Sequence, residues 1–161
     1  MITHRFAVDK MLGRLATWLR LIGQDAIYGS QLAGRSLIRQ ARSEGRIVLT
    51  RDRRVVRAAS DLCVLIVASD DFREQLRQVL LVCHVDPFTA LFTRCTKCNT
   101  PVIAVPRGEV ADHIPPYVFS TQEHFARCTR CHRIFWSGTH CERVREQLRM
   151  MGYTESSETC A

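Results

Sequence analysis

Two pairs of cysteines, each with the spacing Cys-x-x-Cys, carry the clearest chemistry in this sequence. They are Cys95 with Cys98 and Cys128 with Cys131. A tight turn at this spacing presents two thiolates to one side of a tetrahedral ion, and two such turns complete a four-sulfur zinc site. The 29 residues between the pairs (99–127) require a long intervening hairpin or loop. The pairs therefore predict a zinc ribbon with a structural Zn²⁺.

The same cysteines would suit a disulfide framework in an oxidising compartment. The start of the sequence, Met1 to Arg5, lacks the charged and then apolar run of a secretory signal. We therefore expect reduced, metal-bound thiols in a cytoplasmic protein. No apolar run in the 161 residues reaches the length that spans a membrane.

Four aspartates form a second set with possible chemistry: Asp9, Asp52, Asp70 and Asp71. Each lies just after a segment with a strand pattern. The carboxyl ends of parallel strands meet at one edge of a sheet, so these carboxylates would come together there. Two carboxylates about 4 Å apart repel by about 4 kcal/mol at an effective dielectric of 20, which favours a shared proton or a divalent cation. Oxygen ligands suit Mg²⁺ or Mn²⁺, and two such ions can clamp the attacking water and the leaving oxygen in phosphodiester cleavage.

Each aspartate also has a purely structural explanation. Asp9 and either Asp70 or Asp71 would suit the caps of the helices that follow, and Asp52 would suit an ordinary turn. The joint placement of these acids near eight arginines favours a nuclease site over the separate explanations. The eight arginines are Arg35, Arg39, Arg42, Arg46, Arg51, Arg53, Arg54 and Arg57.

The formal net charge of +7 favours an anionic partner. Of the 23 lysines and arginines, only Lys10 and Lys97 are lysines. A guanidinium can bind two phosphate oxygens at once, although codon bias in a GC-rich genome explains the composition equally well. A second basic group surrounds the cysteine pairs, and its members are Arg94, Lys97, Arg127, Arg130 and Arg133. Two basic patches beside chemically interesting residues favour nucleic acid as the partner.

The elements that must position these residues alternate between strand and helix patterns in the first half. This alternation predicts the α/β class, with a parallel sheet flanked by helices. The predicted strands are 6–8, 26–28, 46–50 and 62–68, and the predicted helices are 10–22, 36–44, 72–83 and, near the end, 139–151. From about residue 86 the sequence changes to short strands, prolines and cysteines. We predict three parts: an α/β domain at 1–88, a zinc ribbon with a C-terminal helix at 89–152, and a flexible tail at 153–161.

Several segments together resemble the Mut-7 C-terminal RNase family. The matching segments are DKMLGRLA at 9–16, WLRLIG at 18–23, LTRDR at 49–53, SDD at 69–71, QL at 75–76, the two cysteine pairs and FWSGTH at 135–140. The resemblance covers about residues 4–145. It implies a PIN-like nuclease fold that carries a zinc ribbon, with single-stranded RNA as the substrate class.

One difference from the family pattern leaves three hypotheses open. The family has a further acid near the start of the second helix, whereas residues 30–36, SQLAGRS, contain none. The favoured hypothesis is a metal-dependent ribonuclease, with either one or two ions. The second is an RNA-binding protein without catalysis, and the third is a protein-interaction subunit whose arginines only keep it soluble.

The favoured hypothesis assigns a role to each candidate residue. Asp9, Asp52 and Asp70 or Asp71 hold Mg²⁺ or Mn²⁺, which activates a water for attack on phosphorus. The zinc ribbon is structural and aids RNA binding, with Trp136 as a candidate for stacking on a base. The candidate contacts to RNA are Arg14, Arg51, Arg53, Arg54, Arg133 and Trp136.

Overall fold

A four-stranded parallel sheet forms the centre of the first half of the protein. The computed structural model describes residues 4–155. The strands are β1 (Arg5–Val8), β2 (Asp25–Tyr28), β3 (Ile47–Thr50) and β4 (Val64–Ile66), and their order in the sheet is β2-β1-β3-β4. The predicted α/β class with a parallel sheet is therefore confirmed. The predicted strand at 62–68 is shorter in the structure.

Helices cover both faces of this sheet. They are α1 (Gly13–Leu21), α2 (Gly34–Glu44), α3 (Arg53–Ala58) and α4 (Phe72–Val82). Successive side chains of a strand point to opposite faces. Phe6 and Val8 accordingly pack in the core with α1 and α4, whereas Ala7 and Val48 pack in a second core with α2 and α3. Because both faces are buried, the strands are almost continuously apolar.

Two local differences from the predicted elements occur beside the aspartates. The predicted helix at 10–22 begins as a 3₁₀ turn at Lys10–Leu12, and α1 follows it. The sequence predicted a turn beginning at 51–53, where the structure also has the short helix α3. The side chain of Asp52 accepts a hydrogen bond from the backbone N–H of Arg54 and so caps α3.

The second half contains a small antiparallel sheet that carries the cysteine pairs. Its strands are β5 (Val102–Val105), β6 (Phe125–Cys128) and β7 (Ile134–Trp136), in that order. The long segment between β5 and β6 forms two 3₁₀ turns and the helix α5 (Pro116–Thr121). This sheet confirms the predicted small ribbon after the α/β part.

The last helix, α6 (Thr139–Met150), returns to the α/β part. Val144 and Leu148 of α6 are buried in the same core as α1 and α4, and Tyr153 packs against that core. The division at residues 88 and 89 stays a prediction. Of the predicted flexible tail, residues 156–161 lie outside the described residues. Within residues 4–155 no helix combines the length and the apolar character that crossing a membrane requires.

Candidate functional site

The four predicted zinc ligands come together in the structure. The Sγ atoms of Cys95, Cys98, Cys128 and Cys131 all lie within 4.8 Å of one another. The distance from Cys95 Sγ to Cys131 Sγ is 3.8 Å. Four sulfurs that each lie about 2.3 Å from one tetrahedral ion are separated by about 3.8 Å, so the cluster fits Zn²⁺. Among residues 4–155 it is the one group of three or more potential ligand side chains that converges in this way.

The two cysteine pairs lie in turns of the same conformation. The N–H of Asn99 donates to the carbonyl of Cys95 at 2.9 Å, and the N–H of His132 donates to the carbonyl of Cys128 at 3.0 Å. Asn99 and His132 have positive φ angles of 63° and 58°. The N–H of Cys98 donates to Cys95 Sγ at 3.4 Å, and the second turn has the equivalent bond at 3.5 Å. Such donors favour the thiolate form that a metal ion needs.

Four thiols at this separation do not ionise together easily. Burial, followed by hydrogen bonding with Cys131 and the charges of the neighbouring thiols, raises the pKa of Cys98 to about 12. Hydrogen bonding from the backbone of Arg133 lowers the pKa of Cys131 to about 7. A bound Zn²⁺ would hold all four cysteines as thiolates, and binding of the metal would be coupled to folding of the ribbon.

The first zinc turn is fastened to the α/β part by a buried arginine. Arg20 of α1 is 7% exposed. Its Nε donates to the carbonyl of Ala26 in β2 at 2.8 Å. Its Nη1 donates to the carbonyls of Thr96 and Lys97, between the first two cysteines, at 2.7 and 3.1 Å. One guanidinium therefore bridges a sheet strand and the zinc turn.

Asn99 reinforces this junction. Its Oδ1 accepts from the N–H of Ala26 at 3.0 Å, and its Nδ2 donates to Asp25 Oδ1 at 2.7 Å. At Gly23 a Cβ atom would lie 2.1 Å from the carbonyl oxygen of Ala90, so the close approach of the two segments requires glycine. Asp25 begins β2, so this zinc turn docks at the amino-terminal ends of the strands.

Asp9 and Asp52 lie at the opposite, carboxyl-terminal ends of the strands. Asp9 follows β1 and is only 4% exposed. The hydroxyl of Thr50, the last residue of β3, donates to Asp9 Oδ2 at 2.6 Å and accepts from the N–H of Asp52 at 3.0 Å. Thr50 thus connects the Asp9 carboxylate with the backbone of Asp52. The sequence alone predicts no role for Thr50, although it is the polar residue at the end of the apolar strand IVLT.

Asp52 is held by its neighbour Arg54 as well as by Thr50. Its carboxylate accepts from the Arg54 guanidinium at 2.9 to 3.1 Å and from the Arg54 backbone N–H at 2.8 Å. These hydrogen bonds, from the side chain first and then the backbone, lower the pKa of Asp52. Asp52 is therefore ionised at neutral pH.

Asp70 and Asp71 have other contacts in the structure. The Asp70 side chain is 88% exposed and forms an ion pair with Arg51. Asp71 caps α4 and accepts from the N–H groups of Arg73 and Glu74 at 2.9 and 3.3 Å. No three carboxylates in the described part of the chain form a group close enough to hold one ion together. The structure thus connects Asp9 with Asp52, and it places Asp70 and Asp71 in separate interactions.

The predicted phosphate contacts differ in their surroundings. Arg14 lies over the ring of Phe72, with its guanidinium carbon 3.7 Å from the ring centroid. Arg53 is exposed, whereas Arg51 and Arg54 are paired with aspartates of the candidate site. Two of the four aspartates, Asp52 and Asp70, are therefore neutralised by arginines at this edge.

Part of the predicted basic patch near the acids is structural. Arg46 is buried and pairs with Asp25 at 2.6 Å and with Glu44 at 2.5 Å. Arg42 pairs with Asp61 at 2.7 Å. The first basic patch is consequently smaller than the run of eight arginines indicates, because sequence crowding does not show which guanidinium groups point into ion pairs.

The remaining candidates, Arg133 and Trp136, lie on the ribbon. Both line a cavity of about 600 Å³. Arg133 lies between the second zinc turn and β7, and Trp136 is the last residue of β7. These two residues are therefore positioned by the ribbon, not by the parallel sheet.

Comparisons with known proteins agree with the motif pattern. A family model described as the Mut7-C RNAse domain matches residues 4–148, nearly the whole chain. No curated protein and no solved structure gives a significant match. The family resemblance seen in the sequence is confirmed, and it points to a ribonuclease. The chain belongs to the Mut7-C RNAse domain family.

Proposed function

We propose that this protein is a ribonuclease that cleaves single-stranded RNA with the help of Mg²⁺ or Mn²⁺. Family membership supports the ribonuclease activity. The metal requirement rests on one observation, the hydrogen-bonded connection of Asp9 and Asp52 through Thr50. The buried Asp9 carboxylate and the backbone of Asp52 share the Thr50 hydroxyl at the carboxyl edge of a parallel sheet. Carboxylates at such an edge are suited to a hard divalent cation.

The chemistry of the donor set fits such an ion. Thr50 occupies Oδ2 of Asp9, and within residues 4–155 no donor is hydrogen-bonded to Oδ1. Asp52 offers an ionised carboxylate. Asp70 or Asp71 would supply a third ligand, and Asp70 would have to exchange its ion pair with Arg51 for the metal. Such an exchange is inexpensive because an exposed ion pair contributes about 1 kcal/mol or less.

The residues of the chain would divide the work of cleavage. A bound Mg²⁺ or Mn²⁺ would lower the pKa of a water and stabilise the negative charge that develops on phosphate oxygens. Thr50 fixes the orientation of Asp9. When Asp70 and Asp52 are neutralised by the cation, their partners Arg51 and Arg54 become available to phosphate oxygens. The exposed Arg53 contacts the substrate backbone.

The zinc site has a structural part in this proposal. The first zinc turn docks at the amino-terminal ends of the strands, whereas Asp9 and Asp52 lie at the carboxyl-terminal ends. The sheet therefore separates Zn²⁺ from the candidate active site. Zn²⁺ stabilises the ribbon, and the ribbon contributes Arg133 and Trp136 to RNA binding. The proposed location of the protein is the cytoplasm, where thiolate ligands stay reduced.

The direct test is cleavage of a labelled single-stranded RNA with and without added Mn²⁺. Wild-type protein should cleave only with Mn²⁺ or Mg²⁺, and Asp52→Asn should lower the rate about 100-fold or more while RNA binding persists. Asp61→Asn is the matched control, because it removes an exposed carboxylate that pairs with Arg42. Cleavage that is independent of the metal, or equal in the two variants, would refute the proposal.

The separation of the carboxylates favours a second candidate function. Because no third carboxylate joins Asp9 and Asp52 among the described residues, an RNA-binding protein without catalysis is the alternative. That protein would leave the labelled strand intact in the same assay. It would still bind the strand, with an affinity that falls steeply as the salt concentration rises.

A further inference from the structure

The ribbon contains a cavity that is distinct from the carboxyl edge of the parallel sheet. The cavity has a volume of about 600 Å³ and is lined by His113, Arg127, His132, Arg133 and Trp136, with two isoleucines. No carboxylate is among the residues that line it. Cavities of roughly 300–1,000 Å³ are typical of small-molecule sites.

The long segment between the cysteine pairs builds this cavity. In the pairing of β6 with β7, Phe125 lies opposite Trp136 and Arg127 lies opposite Ile134. Alternate residues share a face, so these four residues lie on one face of the small sheet. Ile114 and its neighbours from the long segment pack on Phe125 and cover part of that face. The cavity is the uncovered part of the same face.

The charges at the cavity favour an anion beside a flat apolar group. Arg133 is exposed and has no ion pair within the described residues. Arg127 is partly compensated by Glu109, whose carboxylate lies 3.1 Å from its guanidinium. Of the two arginines at the cavity, Arg133 is thus the one whose charge is not compensated by a carboxylate of the described residues. Trp136 is partly buried and packs against the apolar residues of this face, which keeps its ring in a defined place.

We propose that this cavity binds one nucleotide unit of single-stranded RNA, with the base stacked on Trp136 and its phosphate bound by Arg133. This inference rests on the proposed function and adds a second site of contact to the carboxyl edge. An aromatic ring with an adjacent guanidinium is the arrangement that single-stranded nucleic acid favours, because every base has a flat face and every nucleotide carries a phosphate. The 29 residues at 99–127 thereby gain a function beyond connecting two zinc turns.

The test compares two fluorescein-labelled probes of equal length by fluorescence anisotropy. One probe is a twelve-nucleotide oligouridylate, and the other is the same ribose-phosphate strand without bases. The zinc-loaded full chain is used without added Mg²⁺ or Mn²⁺, so that binding is measured apart from cleavage. The difference between the two affinities reports stacking of the bases, whereas the affinity for the strand without bases reports phosphate contacts.

We expect the wild type to bind the oligouridylate about tenfold more tightly than the strand without bases. Trp136→Leu should remove that difference, and Trp136→Phe should keep most of it. Arg133→Gln should weaken binding of both probes to a similar degree. It should also reduce the slope of log affinity against log salt concentration by about one. The matched controls are Tyr117→Leu, an exposed aromatic residue on α5, and Arg143→Gln, an exposed arginine on α6. Both controls should bind both probes as the wild type does, apart from the small general effect of one lost charge.

Two results would overturn the assignment. One is equal binding of the two probes by wild-type protein, and the other is an Arg133→Gln variant that binds no more weakly than Arg143→Gln. If Trp136→Leu fails to fold, Arg133→Gln still tests the proposal, because Arg133 is exposed and its substitution leaves the core intact. The ribonuclease proposal can fail independently, because Mn²⁺-dependent cleavage tests it and this binding experiment does not.

Discussion

At the scale of single residues, Thr50 is the most informative position. Its hydroxyl donates to Asp9 and accepts from the backbone of Asp52. Thr50→Val keeps the shape of the side chain but removes this hydroxyl. We expect Mn²⁺-dependent RNA cleavage to fall by about 10–100-fold, as is usual when the partner that orients a metal ligand is lost. Cleavage kinetics at saturating Mn²⁺ measure the effect.

Thr50→Ser is the matched control, because serine retains the hydroxyl and loses one methyl group. It should stay within about threefold of the wild-type rate, while the stability of both variants is followed by thermal unfolding. A Thr50→Val variant as active as Thr50→Ser would show that the hydroxyl does not orient the candidate ligand.

Also at the residue scale, the pKa of Asp52 depends on Arg54. Hydrogen bonds from Arg54 lower this pKa below its usual value of 3.8. Because the pKa is lower in the folded protein, the ionised carboxylate contributes stability above the unfolded-state value, and the contribution is lost as pH falls through the folded value. In Arg54→Gln the pKa of Asp52 should rise toward the usual value. Carbon-detected NMR titration of the Asp52 carboxylate measures the shift, and an unchanged pKa would contradict the assigned hydrogen bonds.

At the scale of elements, the junction between the first zinc turn and the sheet depends on Arg20. Arg20→Met would leave the carbonyls of Ala26, Thr96 and Lys97 without this donor. A hydrogen bond to a charged group contributes about 1.5–3 kcal/mol, and the three bonds are not additive because they share one guanidinium. We therefore expect a loss of about 2–4 kcal/mol in the free energy of unfolding. Denaturant unfolding of the zinc-loaded protein provides the measurement.

Arg39→Met is the control for the junction, since Arg39 is an exposed arginine on α2. It should change the free energy of unfolding by less than about 0.5 kcal/mol. If both variants unfold at the same denaturant concentration, the junction does not hold the zinc turn to the sheet.

Most elements of the α/β part could be predicted from the sequence, and the reasons are local. The apolar run at 47–49 and the alternation of helix and strand patterns predicted a sheet with both faces covered. Helix α3 was missed, because six residues are too few to show a periodic pattern and its cap, Asp52, also suits a turn.

The candidate site could be predicted in part. Asp52 and Asp9 could be proposed as a pair because parallel strands share a carboxyl edge. Their connection through Thr50 required coordinates, since it depends on where one hydroxyl points.

At the scale of the whole molecule, the first turn of the four-cysteine cluster and the candidate active site lie at opposite ends of the parallel sheet. Because α6 of the second half packs into the core of the first half, loss of Zn²⁺ should destabilise more than the ribbon. We expect Cys95→Ser to lower the melting temperature and to release Zn²⁺, while the folded fraction keeps its Mn²⁺ affinity. Differential scanning calorimetry with zinc analysis measures the first two quantities, and a titration with Mn²⁺ measures the third. A Cys95→Ser protein that melts as the wild type does would exclude a structural zinc site at these cysteines.

The position of the ribbon could not be predicted from the sequence. The cysteine spacing predicted the four ligands, but the contacts of Arg20 and Asn99 that place the first turn at the amino-terminal ends of the strands join residues more than seventy positions apart. Likewise, the sequence shows a long segment at 99–127, whereas the cavity that it forms with Trp136 depends on how that segment folds over the small sheet.

We propose that the carboxyl edge of the sheet holds a divalent cation, and binding of Mn²⁺ tests this most directly. Free Mn²⁺ is counted by electron paramagnetic resonance during titration of the zinc-loaded wild type, Asp9→Asn and the control Asp61→Asn. We predict that the wild type and Asp61→Asn bind Mn²⁺ equally, and that Asp9→Asn, which keeps the shape and the acceptor for Thr50, binds it at least about tenfold more weakly. Equal binding by all three proteins, or none by the wild type, would contradict the claim.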